Sequence, residues 1–233
     1  MVKIEERIRV RATFIEGVLG TAPSNPEIYR DYVGSKAPDA ATIEEEVEAV
    51  GVDEIVDKGT TVFPRLPDGT PFVYDYQIRG AFKDACGMLN KLTGRDSVTG
   101  KKLKAANESS KLTAYKKIID GLIFVSPRKI PFKYDGEITI CQRPLRAQTA
   151  QGERIALSSS EEIHAGAQIE FEVQCMSADH AAAVREWLDY GIFRGFGQWR
   201  NSGKGKYYWE ELDAEGNVVG GNKAFAEEML GIA

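Results

Sequence analysis

Histidine and cysteine are scarce in this chain, with two and three among 233 residues. That scarcity leaves little material for a metal centre or an imidazole- or thiol-based active site. His164 and His180 stand in no His/Cys/Asp/Glu spacing that fits zinc. Cys86, Cys141 and Cys175 are widely spaced, each in an apolar pattern, which predicts buried free thiols in a reducing compartment. Long apolar runs are also missing, so no segment approaches the length of a bilayer span. The opening MVKIEERIRV lacks the apolar core of a signal peptide. These absences predict a cytoplasmic protein with no membrane partner, no metal and no cofactor. Gly195-Phe196-Gly197 is no dinucleotide fingerprint, because it follows a helical pattern and precedes a strand. The serines at 158–160 lack a nucleophile-elbow context.

What is present suits a folded domain. Hydrophobic residues make up 42% and charged residues 28%, enough to bury a sizeable core. The net charge of -5 hides a division. Residues 37–57 carry eight acids and no cation, whereas residues 91–133 carry eleven cations against three acids. Such asymmetry lets one surface take phosphates while another points elsewhere.

Residues 7–14 alternate strictly, with Ile8, Val10, Ala12 and Phe14 on one face and Arg7, Arg9, Arg11 and Thr13 on the other. The three arginines lie roughly 6–7 Å apart at about 3.3 Å rise per residue. That matches successive phosphates of a single strand, but Glu170 and Glu172 on a second alternating stretch, 168–175, offer cross-strand partners instead. Pro26–Val33 reads as a short helix capped by Asn25, and Thr42 with Glu45 as the capping box of an acidic helix. Thr60–Phe63 reads as a strand, with a turn at Asp68-Gly69. Asp75 is expected to cap a helix with Ile78, Phe82, Ala85, Cys86 and Leu89 inside and Arg79 and Lys83 outside. Residues 93–117 read as a flexible insertion plus a helix up to Ile119, followed by strands at Leu122–Val125 and Glu137–Cys141. Arg143–Ser160 lacks periodicity and reads as a long exposed loop or hairpin. Ser177 caps a helix ended by Gly191. Tyr207–Leu212 is an aromatic strand and Asn222–Leu230 a terminal helix. Irregular alternation of strands and helices predicts α+β with an antiparallel sheet.

Gly191–Tyr207, GIFRGFGQWRNSGKGKY, stands out. Five glycines are interleaved with Arg194, Arg200, Lys204 and Lys206. Glycine lets backbone N–H groups approach a ligand, and cations beside such backbone suit a phosphate. A glycine-rich turn with solvated charges is the plainer alternative. Trp199 fits either a base-stacking role or a core.

Four segments in order resemble the RAMP superfamily of CRISPR-associated proteins, most like the backbone subunits of type III effector complexes. They are RVRATFIEGVLG with Gly20, YDYQIRGAFKDA around Arg79-Gly80, RPLRAQTAQGERIALSSSEEIHAGAQIEFEV, and GFGQWRNSGKGKY. Together they cover roughly half the chain. The resemblance implies one ferredoxin-like (RRM-like) domain over 1–233, with insertions at about 37–57, 91–133 and 143–160, the last acting as a thumb. It implies binding to the backbone of guide or other single-stranded RNA, and assembly with copies of itself or other CRISPR effector subunits into a helical filament. Carried over residue by residue, Arg79, Gly80, Lys83, Gly195, Gly197, Arg200, Gly203 and Lys204 are the RNA contacts, with Arg143 and Arg146 in the thumb; Trp199 and Lys206, within the same glycine-rich stretch, join them as candidate RNA-binding residues. Such subunits cut target RNA with an aspartate after the first strand. Here only Glu16 and the more distant Asp31 and Asp39 are available, and His164 is the remaining general acid–base candidate. An endoribonuclease of RAMP type is one alternative. Another is a virus-encoded or stand-alone relative that binds CRISPR subunits as a decoy through the acidic 37–57 segment.

Overall fold

The computed structural model describes residues 3–23, 60–92, 107–149 and 152–231, with backbone alone at 145–149 and 152–157. In chain order its elements are β1 (Glu6–Phe14), β2 (Val18–Leu19), β3 (Ala22–Pro23), β4 (Thr60–Val62), β5 (Phe72–Tyr74) and α1 (Asp75–Leu89). Then come α2 (Glu108–Lys111), α3 (Tyr115–Leu122), β6 (Ile123–Ser126), β7 (Lys129–Lys133), β8 (Thr139–Thr149), β9 (Gly152–Ile163) and β10 (Gln168–Cys175). The chain closes with α4 (Ala178–Asp189), α5 (Gly191–Arg194), a 3-10 turn at Arg200–Ser202, β11 (Tyr207–Leu212), β12 (Val218–Gly221) and α6 (Lys223–Leu230). The expected helix at 26–33, the capping box at Thr42, the acidic 37–57 segment, Asp31 and Asp39 lie outside the described residues.

β1 sits at the centre of the main sheet because its alternation gives it one apolar face. It pairs antiparallel with β10, Ile8 opposite Val173 and Ala12 opposite Ile169, and with β11, Ala12 opposite Trp209. β10 pairs in turn with β6 and β7. The order β11-β1-β10-β6, with α1 crossing from β1 towards β6 and α4 from β10 to β11, is the ferredoxin-like arrangement. β12 extends one edge, and β7 and β5 the other. Both helices lie on the apolar face, where the rings of Phe82 of α1 and Trp187 of α4 meet at 5.5 Å, tilted by 40°. Ile78, Phe82, Ala85, Cys86 and Leu89 are all buried, as the helical spacing predicts. Burial pushes the Cys86 thiol up to about 11 and the Cys175 thiol up to about 12, so neither is a nucleophile near neutral pH.

Local chemistry differs from expectation at several points. The N-cap of α1 is Tyr74, not Asp75, because the Gln77 side chain reaches back to accept from the Tyr74 N–H at 2.8 Å. Asp75 instead bonds Arg79 one turn on, at 3.2 Å. Ser177 caps α4 as expected, accepting from the His180 N–H at 3.3 Å. α4 stops at Asp189 and Gly191 opens α5, because the Tyr207 ring fills the space a Cβ at 191 would need. The described end of the basic segment joins the core. Glu186 of α4 accepts from the N–H groups of Glu108 and Ser109, each at 2.9 Å, so it caps α2 from a distance. Ile119 of α3 is fully buried.

The region 143–160 is a hairpin. β8 and β9 pair without interruption from Thr139 opposite Glu162 to Thr149 opposite Gly152. Its strands begin before the expected loop, since an antiparallel partner satisfies the backbone whatever the side-chain pattern. The base of the hairpin belongs to a second sheet, in which β9 also pairs with β2 and, in parallel, with β4, and β4 pairs with β3. The open face of the main sheet carries the arginine row as an ion-pair ladder. Arg7 and Arg9 meet Glu172 at 2.6 and 3.6 Å, and Arg11 meets Glu170 at 2.7 Å. Cross-strand pairing therefore occupies these arginines.

Candidate nucleic-acid interface

The glycine-rich stretch is an ordered loop folded onto the junction of both sheets. Gly195, Gly197, Gly203 and Gly205 all have positive φ, the region that glycine enters without strain. Two of them are required by the protein itself. A Cβ at Gly195 would come within 2.7 Å of the Lys204 carbonyl oxygen, and one at Gly205 would collide with the Phe196 carbonyl. The Phe196 N–H donates to the Gly205 carbonyl at 2.8 Å, and the Gly205 N–H to that of Gly17 at 2.9 Å. At Gly203 the nearest atom to such a Cβ is a Lys206 methylene at 3.9 Å, and at Gly80 on α1 nothing lies within 4 Å. No packing contact explains the absence of a side chain at Gly80.

The loop's cations converge. Arg194 and Arg200 share one carboxylate, Asp84 of α1, at 2.9 and 2.5 Å. Burial opposes ionisation of Asp84, yet the two guanidinium groups hold its carboxyl below the usual carboxylate range. Lys204 donates to Glu162 at the hairpin base at 2.5 Å, and that bond, with the nearby Glu16, raises the Lys204 ammonium. Lys206 has no ion pair among the described residues. Arg143, at the hairpin base and 9% exposed, donates to Gln198 at 2.9 Å and lies 5.2 Å from the centre of the Trp199 ring. It meets no carboxylate among the described residues. Among the described residues, five cations thus surround the loop against three carboxylates.

Arg79 and Lys83 project from α1 but are engaged locally, Arg79 with Asp75 and Lys83 with Asp120 of α3 at 2.5 Å. The side chain of Arg146 lies outside the description; its backbone pairs with Ile155 in the hairpin. The loop, α1 and the hairpin base are therefore joined, while the ladder of β1 is a separate feature. Among the catalytic candidates, Glu16 is exposed beside Lys204. His164 is exposed, its Nε2 3.2 Å from the Thr139 hydroxyl. Among the described residues no three His, Cys, Asp or Glu side chains gather for a metal, and no helix is long and apolar enough to cross a membrane. Three functional participants escape local sequence reasoning: Asp84, Glu162 and Gln198. Their partners stand 42 or more residues away, so no spacing rule finds them. A hydrophilic residue at position 84, beside the buried face of α1, was the available hint.

Fold and site together define a ferredoxin-like domain with a basic glycine loop beside a long hairpin. No family model and no curated protein matches the chain. The structure of type III-B Cmr-beta bound to cognate target RNA is similar to it at 9% identity, with a TM-score of 0.47 over 89% of this chain. The chain spans 58% of the length of that one.

Proposed function

We propose that this protein is an RNA-binding module that grips the phosphate backbone of guide or other single-stranded RNA. The observation that carries the reading is the cation excess around the glycine loop, where Arg194 and Arg200 share one carboxylate. Gly80 and Gly203, the glycines with open space beside them, supply close approach for a sugar–phosphate strand. Arg79, Lys83, Arg200, Lys204 and Lys206 supply charge, and Gly195 and Gly197 hold the loop that presents it. Arg143 and Arg146 extend the contact into the hairpin. Phosphate contacts set affinity and register, leaving sequence to base pairing. In this role copies of the chain, or other CRISPR effector subunits, line up along one strand.

Filter binding to single-stranded RNA at several salt concentrations tests the reading. Affinity falls steeply with salt if phosphates are neutralised. Arg194→Ala with Arg200→Ala weakens binding by about tenfold or more. Asp84→Asn strengthens it severalfold at low salt, because both arginines lose their internal partner. Binding that ignores salt, or that Asp84→Asn weakens in parallel with the double arginine variant, overturns the proposal.

A further inference from the structure

Arg143 is unusual among the cations of this protein. It is nine-tenths buried, yet its Nε and Nη1 have no hydrogen-bond partner. Only Nη2 is engaged, by Gln198. A buried guanidinium with unmet donors and no carboxylate among the described residues lowers stability, so the fold carries it at a disadvantage. The group over it is the Trp199 indole, 38% exposed. Trp199 has φ of 51°, a left-handed conformation that is strained for a bulky residue. A cation–π contact leaves those N–H donors unmet, whereas charge-assisted bonds to an anion satisfy them.

We infer that Arg143 and Trp199 form a site for one unpaired nucleotide of a bound strand. Oxygens of the strand accept from Nε on one edge of the guanidinium and from Nη1 on the other, with Nη2 between them kept on Gln198. The indole yields its place over the guanidinium and stacks on the adjacent base. The ligand thus supplies the anion that the protein withholds from Arg143. This inference rests on the RNA-binding reading and names the unit that one part of the surface takes.

Tryptophan emission reads the site directly, since Trp187 and Trp209 are 1% and 2% exposed. Titration with a short oligoadenylate is expected to quench Trp199. Arg143→Met weakens that binding by about tenfold or more, while the melting temperature of the free protein holds or rises. Arg143→Lys keeps the charge without the guanidinium edges and also weakens binding. Trp199→Ala loses about tenfold, whereas Trp199→Phe keeps most of the affinity. A lower melting temperature in Arg143→Met with unchanged oligoadenylate binding makes Arg143 a structural strut and overturns the inference. Equal quenching by polyglutamate overturns the nucleotide assignment. Salt-dependent binding of oligoadenylate without any change in emission sinks this site but leaves the backbone-binding reading standing. No binding of oligoadenylate at all removes both.

Discussion

Gly80 and Gly205 are the same residue type in opposite surroundings. Gly205 has positive φ and a carbonyl where its Cβ would stand. Gly205→Ala is expected to destabilise the protein by about 3 kcal/mol, seen as a fall in melting temperature. Gly80 is exposed in an ordinary helix with free space around it. Gly80→Ala is expected to raise stability by up to about 1 kcal/mol, and to weaken RNA binding where the strand lies against α1. A stability gain with RNA affinity unchanged would remove Gly80 from the interface. The glycine spacing alone does not separate these cases. Only the tertiary neighbours of each position, set by residues up to 188 places away (Gly205 against Gly17), tell one from the other.

Among the elements, those with one apolar face were legible in the chain. β1, β10, α1 and α4 each bury the residues their periodicity selects, because a sheet face and a helix stripe against one core leave little choice. Ser177 declared the start of α4 through a short-range cap. The hairpin was less legible. Arg143–Ser160 has no apolar alternation to mark its strands, which pair through their backbones. β5, β7 and β12 are short, and β12 is exposed along its length, so no burial pattern marks it. The proposed binding surface was half legible. Its glycines and cations stood together in sequence, but Asp84 and Glu162, which hold those cations, belong to other elements. Arginine rows looked alike in the chain, yet Arg7, Arg9 and Arg11 face carboxylates on β10 while Arg143 faces none among the described residues.

Carboxylates that bind cations set the acid response of the whole molecule. Burial raises Glu170 and Glu172, but Lys133 and Arg11, and Gln174 and Arg7, bring them below their ordinary values. Asp84 is lowered likewise by Arg194 and Arg200. A carboxyl lowered by folding contributes stability above its unfolded value, about 4, and loses it as pH falls through the lower folded value. Stability is therefore expected to hold down to about pH 5 and to fall as pH drops below about 4. Melting temperature followed across that range checks this. Asp84→Asn should flatten the acid limb, since its titration no longer differs between states, and an unchanged limb would show that the ladder alone governs it.

Gln198 occupies a position whose meaning goes beyond the arginine it meets. Its amide accepts from Arg143 and donates to the Gly20 carbonyl at 2.9 Å and towards the Thr61 hydroxyl at 3.3 Å. One side chain of the glycine loop therefore fastens the root of the hairpin, the turn after β2 and the strand β4. A lever moves only about its fulcrum, and here the fulcrum is this amide. A ligand that draws Arg143 away from Gln198 frees one of its three ties, and the setting of the hairpin base is then geared to that of the glycine loop.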